Sequence, residues 1–228
     1  MMADLKPIVS RRTMAGEVYG QLRAALMEGV FETGQSFAIS DLAQRFGTSN
    51  TPVREALRRL TDEGVLVEGK WNSATLPPLS TASHDQLCTA RAVIEGGAAE
   101  LAAASITDEE LESLRRISAR HQAALLNGRM EDMLAGNKDF HFTIYRAAQN
   151  PILLDQIENL WLRSGPYTRF LAEQMRELLQ ADATLSYARH HDDVLAALAA
   201  RDGAAARAAM MADIGGVRDW MARYLPGA

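Results

Sequence analysis

The stretch that most limits what this chain can become is ISDLAQRFGTSNTPVREALRRLTDEGVLVEG, residues 39–69. Its first part places Leu42, Ala43 and Phe46 on one helical face and stops at Gly47, with Ser40 read as the cap and Asp41 in the first turn. Residues 48–50 form a tight polar turn. The next helix has Pro52 in its first turn, where the missing N–H costs nothing, and turns Val53, Ala56, Leu57 and Leu60 inward before ending near Gly64. Two short apolar runs, Val65–Val67 and Ala74–Leu76, then flank the polar turn Glu68–Ser73 and predict a two-stranded hairpin. A hairpin of that length is marginal alone, so it has to pack on helices. A further amphipathic helix over 13–29, with Val18, Leu22, Ala25 and Leu26 on one face, supplies the remaining partner.

A short helix, a turn and a second helix can lay that second helix in the major groove of DNA, and the hairpin makes a wing. The early outward positions are Ser49, Asn50, Thr51 and Arg54; Arg58 and Arg59 lie further along, suited to phosphate. The net charge of −5 argues against a nucleic-acid binder only until its distribution is read. Residues 1–78 carry nine Lys/Arg and nine Asp/Glu, so the deficit lies beyond them. Within 45–59, Arg45, Arg54, Arg58 and Arg59 face a single acid, Glu55. A local basic face is what phosphate binding needs. The plainer reading of these arginines is a solvated helix face, but turn, helix and wing all agree on the sharper one.

At Asp41-Leu42-Ala43, Gly47, Ser49, Thr51-Pro52-Val53-Arg54-Glu55-Ala56-Leu57, Leu60 and Glu63-Gly64 the chain resembles the GntR family of winged helix-turn-helix regulators, over roughly residues 10–76. The resemblance implies that Ser49 to Arg54 address DNA and that the wing tip near Lys70–Asn72 approaches the minor groove. The family usually has arginine where this chain has Asn50.

Pro77, Pro78 and Ser80–Ser83 read as a linker, and the rest as helices near 84–104, 108–126, 129–148, 152–179, 183–201 and 204–223. Thr107-x-x-Glu110 is a capping box, and Asn127-Gly128 and Asn150-Pro151 are turns. Six helices on short loops imply an antiparallel bundle. The expected fold is therefore mainly α: a winged helix-turn-helix over 1–78, a linker over 79–83, and an all-α effector-binding domain over 84–228. No run approaches the roughly 18 apolar residues of a membrane span, and MMADLKPIVSRRTMAGEVYG has no apolar stretch between its charges, so neither membrane nor signal peptide is expected. One cysteine, Cys88, excludes an internal disulfide and a cysteine-built zinc cage, and fits a reducing cytoplasm.

Inside the bundle, Leu134, Asn137, His141, Ile144 and Ala148 share one stripe, with Asn137 and His141 one turn apart. His191 precedes Leu195 and Leu198 on another apolar face, and Asp213 lies among Ala209, Met210, Val217 and Trp220 on a third. Burying such groups unpaired costs several kcal/mol, so they satisfy one another, a ligand or a metal. Two imidazoles, a carboxylate and an amide oxygen suit Zn²⁺, Ni²⁺ or Mn²⁺; a water-filled polar pocket is the blander alternative. His84 and His121 are expected at the surface.

This region resembles the FCD ligand-binding domain at Arg91-x-x-Ile94-Glu95, Asn137-x-x-Phe140-His141, Ala147-x-x-Asn150-Pro151, Leu160-Trp161-Leu162-Arg163 and His191-x-x-Val194-Leu195-x-x-Leu198-x-x-Arg201-Asp202. The resemblance implies a metal centre at Asn137, His141, His191 and the position of Asp213, where the family usually has a third histidine. It also implies an effector role for Arg91 above all. Arginine grips carboxylates in a two-pronged fork, which makes Arg163 a second candidate; Tyr145 either lines the pocket or packs. The bland role for Arg91 is an ion pair with Glu95, four residues on.

The expected protein is a homodimeric regulator, a repressor in the family's commoner mode, whose affinity for a double-stranded DNA operator is set by a small carboxylate effector. A metal-dependent enzyme on small carboxylates with a vestigial DNA-binding head is the alternative, but no second group stands out as its general base. Since arginine suits guanine edges and asparagine adenine, Asn50→Arg should change the base preferred at one operator position. Site selection on random duplexes measures this, and identical motifs for the two proteins would refute it.

Overall fold

The computed structural model describes residues 13–70, 73–180 and 189–225. In chain order the elements are α1 (Met14–Met27), β1 (Ser36–Ala38), α2 (Ile39–Phe46), α3 (Asn50–Asp62), β2 (Val67–Glu68), β3 (Ser73–Thr75), α4 (Thr81–Ser105), α5 (Asp108–Leu126), α6 (Met130–Ala147), α7 (Pro151–Gln180), α8 (Arg189–Ala199) and α9 (Gly203–Met221). The chain divides into two compact units. One comprises residues up to Ala25 with Gly34–Pro77; the other comprises Leu26–Thr33 and the chain from Pro78 onward.

In the first unit, Val18 and Leu22 of α1 are buried, as are Val53, Ala56, Leu57 and Leu60 of α3. Tyr19 donates its hydroxyl to Glu63 at 2.9 Å, and the Arg59 guanidinium lies 3.8 Å over the Tyr19 ring. Gly47 closes α2 in the left-handed conformation (φ 62°), its N–H reaching Ala43 and Gln44 carbonyls, and so sets the turn into α3. Two expectations change here. Helix α2 starts at Ile39, with Ala38 as its cap; Ser40 is inside the helix, its hydroxyl 3.1 Å from Asp41 Oδ1. The expected two-stranded hairpin is a three-stranded antiparallel sheet in the order β1-β3-β2, with Phe37 opposite Ala74 and Glu68 opposite Ala74 on the other side. The added strand Ser36-Phe37-Ala38 answers the outer backbone edge of β3 with main-chain bonds. Three residues are too few to show an alternating pattern.

The second unit is helical. Helix α4 packs against α9, α7 and α6, while α5 pairs with α6 and α8 with α9. Its core holds Leu114, Phe140, Ile144, Val194, Leu198 and Met210, all fully buried. Ala98, Ala99, Ala102 and Ala103 of α4 are buried as well. A Cβ on Gly96 would come within 3.0 Å of Met211 Cγ, and one on Gly203 within 3.0 Å of the Glu100 carbonyl oxygen. The alanine-rich composition thus serves a close approach of α4 to α9. Helix α4 begins at Thr81, with the Ser80 hydroxyl accepting from Ser83 N–H, so the last three residues of the expected linker are helical. The Thr107/Glu110 capping box is complete at the start of α5. Asn150 caps α7 by accepting from Leu153 N–H. The early part of the helix expected over 183–201 falls on residues 181–188, outside the described residues.

Gly47 tests the turn without side-chain complications, because an added Cβ meets nothing within 4 Å. Gly47→Ala should destabilise the protein by about 1 kcal/mol from the left-handed backbone alone, and Gly47→Asn by less. Denaturant unfolding of the three proteins decides this; equal midpoints would show that the turn tolerates any residue.

Candidate functional site

Two sets of residues follow from the fold. In the first unit, Arg45 in the last turn of α2, Ser49 capping α3, Asn50, Thr51, Arg54 and Arg58 along α3, and Lys70 beyond β2 are all exposed. The inward stripe of α3 leaves them no other face. Arg58 is engaged with Asp62 at 2.7 Å, and Arg59 with Glu63 at 3.0 Å. The Ser49 side chain makes no capping bond to α3, so the leading amides of that helix are not closed off by it. Trp71 and Asn72 of the expected wing tip lie outside the described residues.

In the second unit α6, α8 and α9 bring His141, His191 and Asp213 together; one ligand atom from each lies within 4.8 Å of the others. His141 Nε2 stands 3.2 Å from Asp213 Oδ2 and His191 Nε2 4.0 Å from Asp213 Oδ1. All three are buried. Burial pushes the His191 imidazole down to about 3, the Asp213 carboxylate opposing and the neighbouring histidines adding to it. Burial alone would raise the Asp213 carboxyl, but the hydrogen bond and charge of His141 hold it below the usual carboxylate range. The His191 ring is therefore neutral near pH 7 while Asp213 is ionised. His191 Nδ1 is buried without a hydrogen-bond partner among the described residues, and its ring stacks on Phe140 with centroids 4.0 Å apart. Asn137, one turn before His141, is half-buried.

Asn137, His141 and Asp213 line a cavity of about 860 Å³, together with Arg91, Trp161 and Tyr167. Arg91 is largely buried and already committed: its Nε lies 2.6 Å from Glu95 Oε1 and its Nη2 3.2 Å from Oε2, with the guanidinium 4.7 Å over Trp161. The ion pair with Glu95 thus exists, but Glu95 is 0% exposed, which takes the pair out of the range of tenths of a kcal/mol that holds for solvated ones. Tyr145 does not face the cavity. It is buried between His141 and Glu95, its oxygen 2.8 Å from His141 Nδ1 and its hydroxyl donating to Glu95 Oε2. Burial, then the Glu95 charge, holds the Tyr145 phenol well above its ordinary range, so it keeps its proton. Arg163 is exposed on α7 and is not among the cavity-lining residues.

The two histidines expected at the surface are buried. His121 donates its Nδ1–H to the Met133 carbonyl, 2.9 Å away, and its ring centroid is 4.8 Å from that of His191. The signal was present: Leu111, Leu114, Ser118, His121 and Leu125 recur at alternating steps of three and four along α5 and are all buried. His84 lies beside Cys88, with Sγ 3.5 Å from Nε2, and its ring centroid is 4.7 Å from that of Tyr167. Burial pushes the Cys88 thiol up, which keeps it un-ionised and unreactive.

An outward-facing helix beside a wing is the arrangement of a DNA-binding transcription regulator, and here it is joined to a helical unit with a polar cavity. Residues 14–71 match the family of bacterial regulatory proteins of the gntR type, and residues 86–216 match the FCD domain. The chain belongs to the GntR family of transcription regulators, in its FCD-bearing branch. It is 31% identical over 191 residues to the HTH-type transcriptional regulator McbR of Escherichia coli K12, covering 82% of each chain. It is 26% identical over 196 residues to the repressor RspR of the same organism, covering 85% of this chain and 82% of that one. The solved structure of E. coli McbR/YncC superposes with a TM-score of 0.78 at 28% identity, over 92% of this chain and 98% of that one. A GntR regulator from Rhodococcus shares the fold at a TM-score of 0.72 and 15% identity, over 93% and 99%. Among the described residues, no helix is long and apolar enough to cross a membrane.

His84 gives a pH test. Burial, then the charge of Arg91, pushes its imidazole down to about 4. Below about pH 6.5 the unfolded chain takes up a proton there that the folded chain refuses until about pH 4, so stability falls as pH drops through that window. His84→Gln removes this contribution. The variant should gain on wild type between about pH 7 and about pH 5 in guanidinium unfolding; a difference independent of pH would refute it.

Proposed function

We propose that this regulator binds its operator as a homodimer through Arg45, Ser49, Asn50, Thr51, Arg54, Arg58 and Lys70, and that a divalent metal at Asn137, His141, His191 and Asp213 anchors a small carboxylate effector in the α4/α6/α9 cavity. The observation that carries the sensing half is the buried Asp213 carboxylate held between two imidazoles on the cavity wall. A neutral imidazole and an ionised carboxylate offer lone pairs, and His191 carries a buried nitrogen without a partner among the described residues. That donor set suits Zn²⁺, Ni²⁺ or Mn²⁺. When bound, the metal supplies a positive centre on which a carboxylate can be held. Arg91 stands on the same wall and, with Glu95 as its resident partner, gives the effector a second point of contact. The two-headed geometry of helix-turn-helix proteins on half-sites supports the dimer. Repression, and residence in the bacterial cytoplasm, follow the pattern of family members.

Metal analysis of protein purified without a nickel column should find about one divalent metal per chain, lost in His141→Ala. Adding Zn²⁺, Ni²⁺ or Mn²⁺ to stripped wild type should raise its thermal midpoint. The absence of both bound metal and stabilisation would sink the metal centre. On the DNA side, Arg54→Ala should weaken binding to a selected operator about 10-fold or more, a loss of the 1–3 kcal/mol typical of a base contact.

A further inference from the structure

Residues Leu26–Thr33 join α1 to β1, and those two elements lie almost wholly in the first unit, yet the segment itself belongs to the second. Backbone contact seats it there. A Cβ on Gly165 of α7 would run into the Leu26 carbonyl oxygen. One on Gly29 would come within 3.0 Å of both the Gly165 carbonyl oxygen and Arg169 Cβ. Gly29 is also left-handed (φ 67°), and its N–H donates back to the Leu26 carbonyl at 3.1 Å. Two glycines thus face each other, and the side chains they lack are what lets the backbones touch. Arg169, one turn beyond Gly165, donates to the Val30 carbonyl at 3.2 Å and reaches Glu32 at 3.5 Å. Pro166 takes one rung out of the α7 ladder at the same place, so that helix is least braced where the segment crosses it.

A loop between a helix and a strand often does no more than pack on the nearest surface. Here Met27, Glu28, Gly29 and Val30 line the 860 Å³ cavity, as do Cys88 and Arg91. Met27 is also the last residue of α1. Leu26 and Gly29 are buried, but Glu28, Val30, Glu32 and Thr33 are exposed, so little apolar burial adds to the glycine seat and the Arg169 tether. Few buried contacts mean a segment that opens at low cost. We propose that Leu26–Thr33 is a movable strap that closes the cavity and, through α1 and β1, carries the state of the cavity to the DNA-binding head. A ligand shifts an equilibrium only by touching its two states differently, and strap residues on the cavity wall are where that difference arises. The inference rests on the regulator reading above for its purpose, and on no metal.

Cys88 supplies the probe. It is the one cysteine of the chain, it lines the cavity, and it is 3% exposed. N-Ethylmaleimide adds the thiol across its carbon–carbon double bond without a leaving group, so the full chain can be labelled at one site. Wild type should react slowly. Gly165→Ala unseats the strap and should speed labelling about 10-fold or more. Gly29→Ala, made on the strap with α7 untouched, should do the same, and Arg169→Ala, which keeps both glycines, should open it less. Gly203→Ala, which crowds the Glu100 carbonyl in the α4–α9 seam, destabilises the same unit away from the strap and should leave the rate near wild type. The adduct is then a covalent occupant of the cavity. It should change affinity for a selected operator duplex about 5-fold or more in wild type, and not in Gly165→Ala. Equal labelling rates in wild type and every strap variant would overturn the strap, as would a rise in Gly203→Ala matching that in Gly165→Ala. So would an adduct that changes operator affinity equally in wild type and Gly165→Ala, or in neither. A wild type that binds no selected duplex would remove the DNA-binding reading and the link to the head, while the labelling rates still decide the closure.

Discussion

Two carboxylates, Glu95 and Asp213, sit inside an all-helical core, and the second unit is arranged around answering them. An uncompensated charge at such depth costs several kcal/mol, and removing one partner from a buried pair typically costs about 3–5 kcal/mol. Glu95 is answered by the forked guanidinium of Arg91 and by Tyr145; Asp213 is answered by two imidazoles. These demands fix the rotation of four helices at once. Helix α4 must face its Arg91–Glu95 edge inward, α6 its His141–Tyr145 edge, α8 its His191, and α9 its Asp213. Apolar packing around Phe140, Leu114 and Met210 supplies the bulk of the burial. It would tolerate a range of small rotations that the polar groups do not.

The first unit solves a different problem with the same geometry. One face of α3 is buried at Val53, Ala56, Leu57 and Leu60, which turns Asn50, Thr51, Arg54, Glu55, Arg58 and Arg59 outward. The exposed arginines are not equivalent. Arg59 is tied to Tyr19 and Glu63 and belongs to the packing of the head. Arg58 shares its charge with Asp62 one turn on. Arg54, nearer the leading end, lies closest to the positions that a groove-entering helix uses to meet base edges.

Much of this was legible in the sequence because it rests on strong local periodicity. The helices, the capping box at Thr107 and the polar residues on the α6, α8 and α9 stripes all announce themselves within a few residues. What stayed hidden depends on partners far along the chain. Strand β1 is defined by main-chain bonds to β3, and three residues carry no pattern of their own. Ser40 had the chemistry of a cap, but the tertiary fold started the helix two residues earlier. The burial of His84 and His121 reflects what α6 and α7 place against them, although the spacing along α5 could have revealed His121. The role of Tyr145 was open between pocket and packing because both are compatible with its stripe. Only the convergence with Glu95, fifty residues away, separates them.

The contact of α4 with α9 has a mechanical corollary. Alanine and glycine have no side-chain rotamers to exchange, so a seam built from Ala98, Ala99, Ala102, Ala206 and the close approaches at Gly96 and Gly203 has no softness of the kind long side chains provide. Helix α9 carries Asp213 and α4 carries Arg91 and Glu95. Welded along this seam, the two helices behave as a single strut, and a force applied at either polar end is delivered to the other as displacement instead of being absorbed between them.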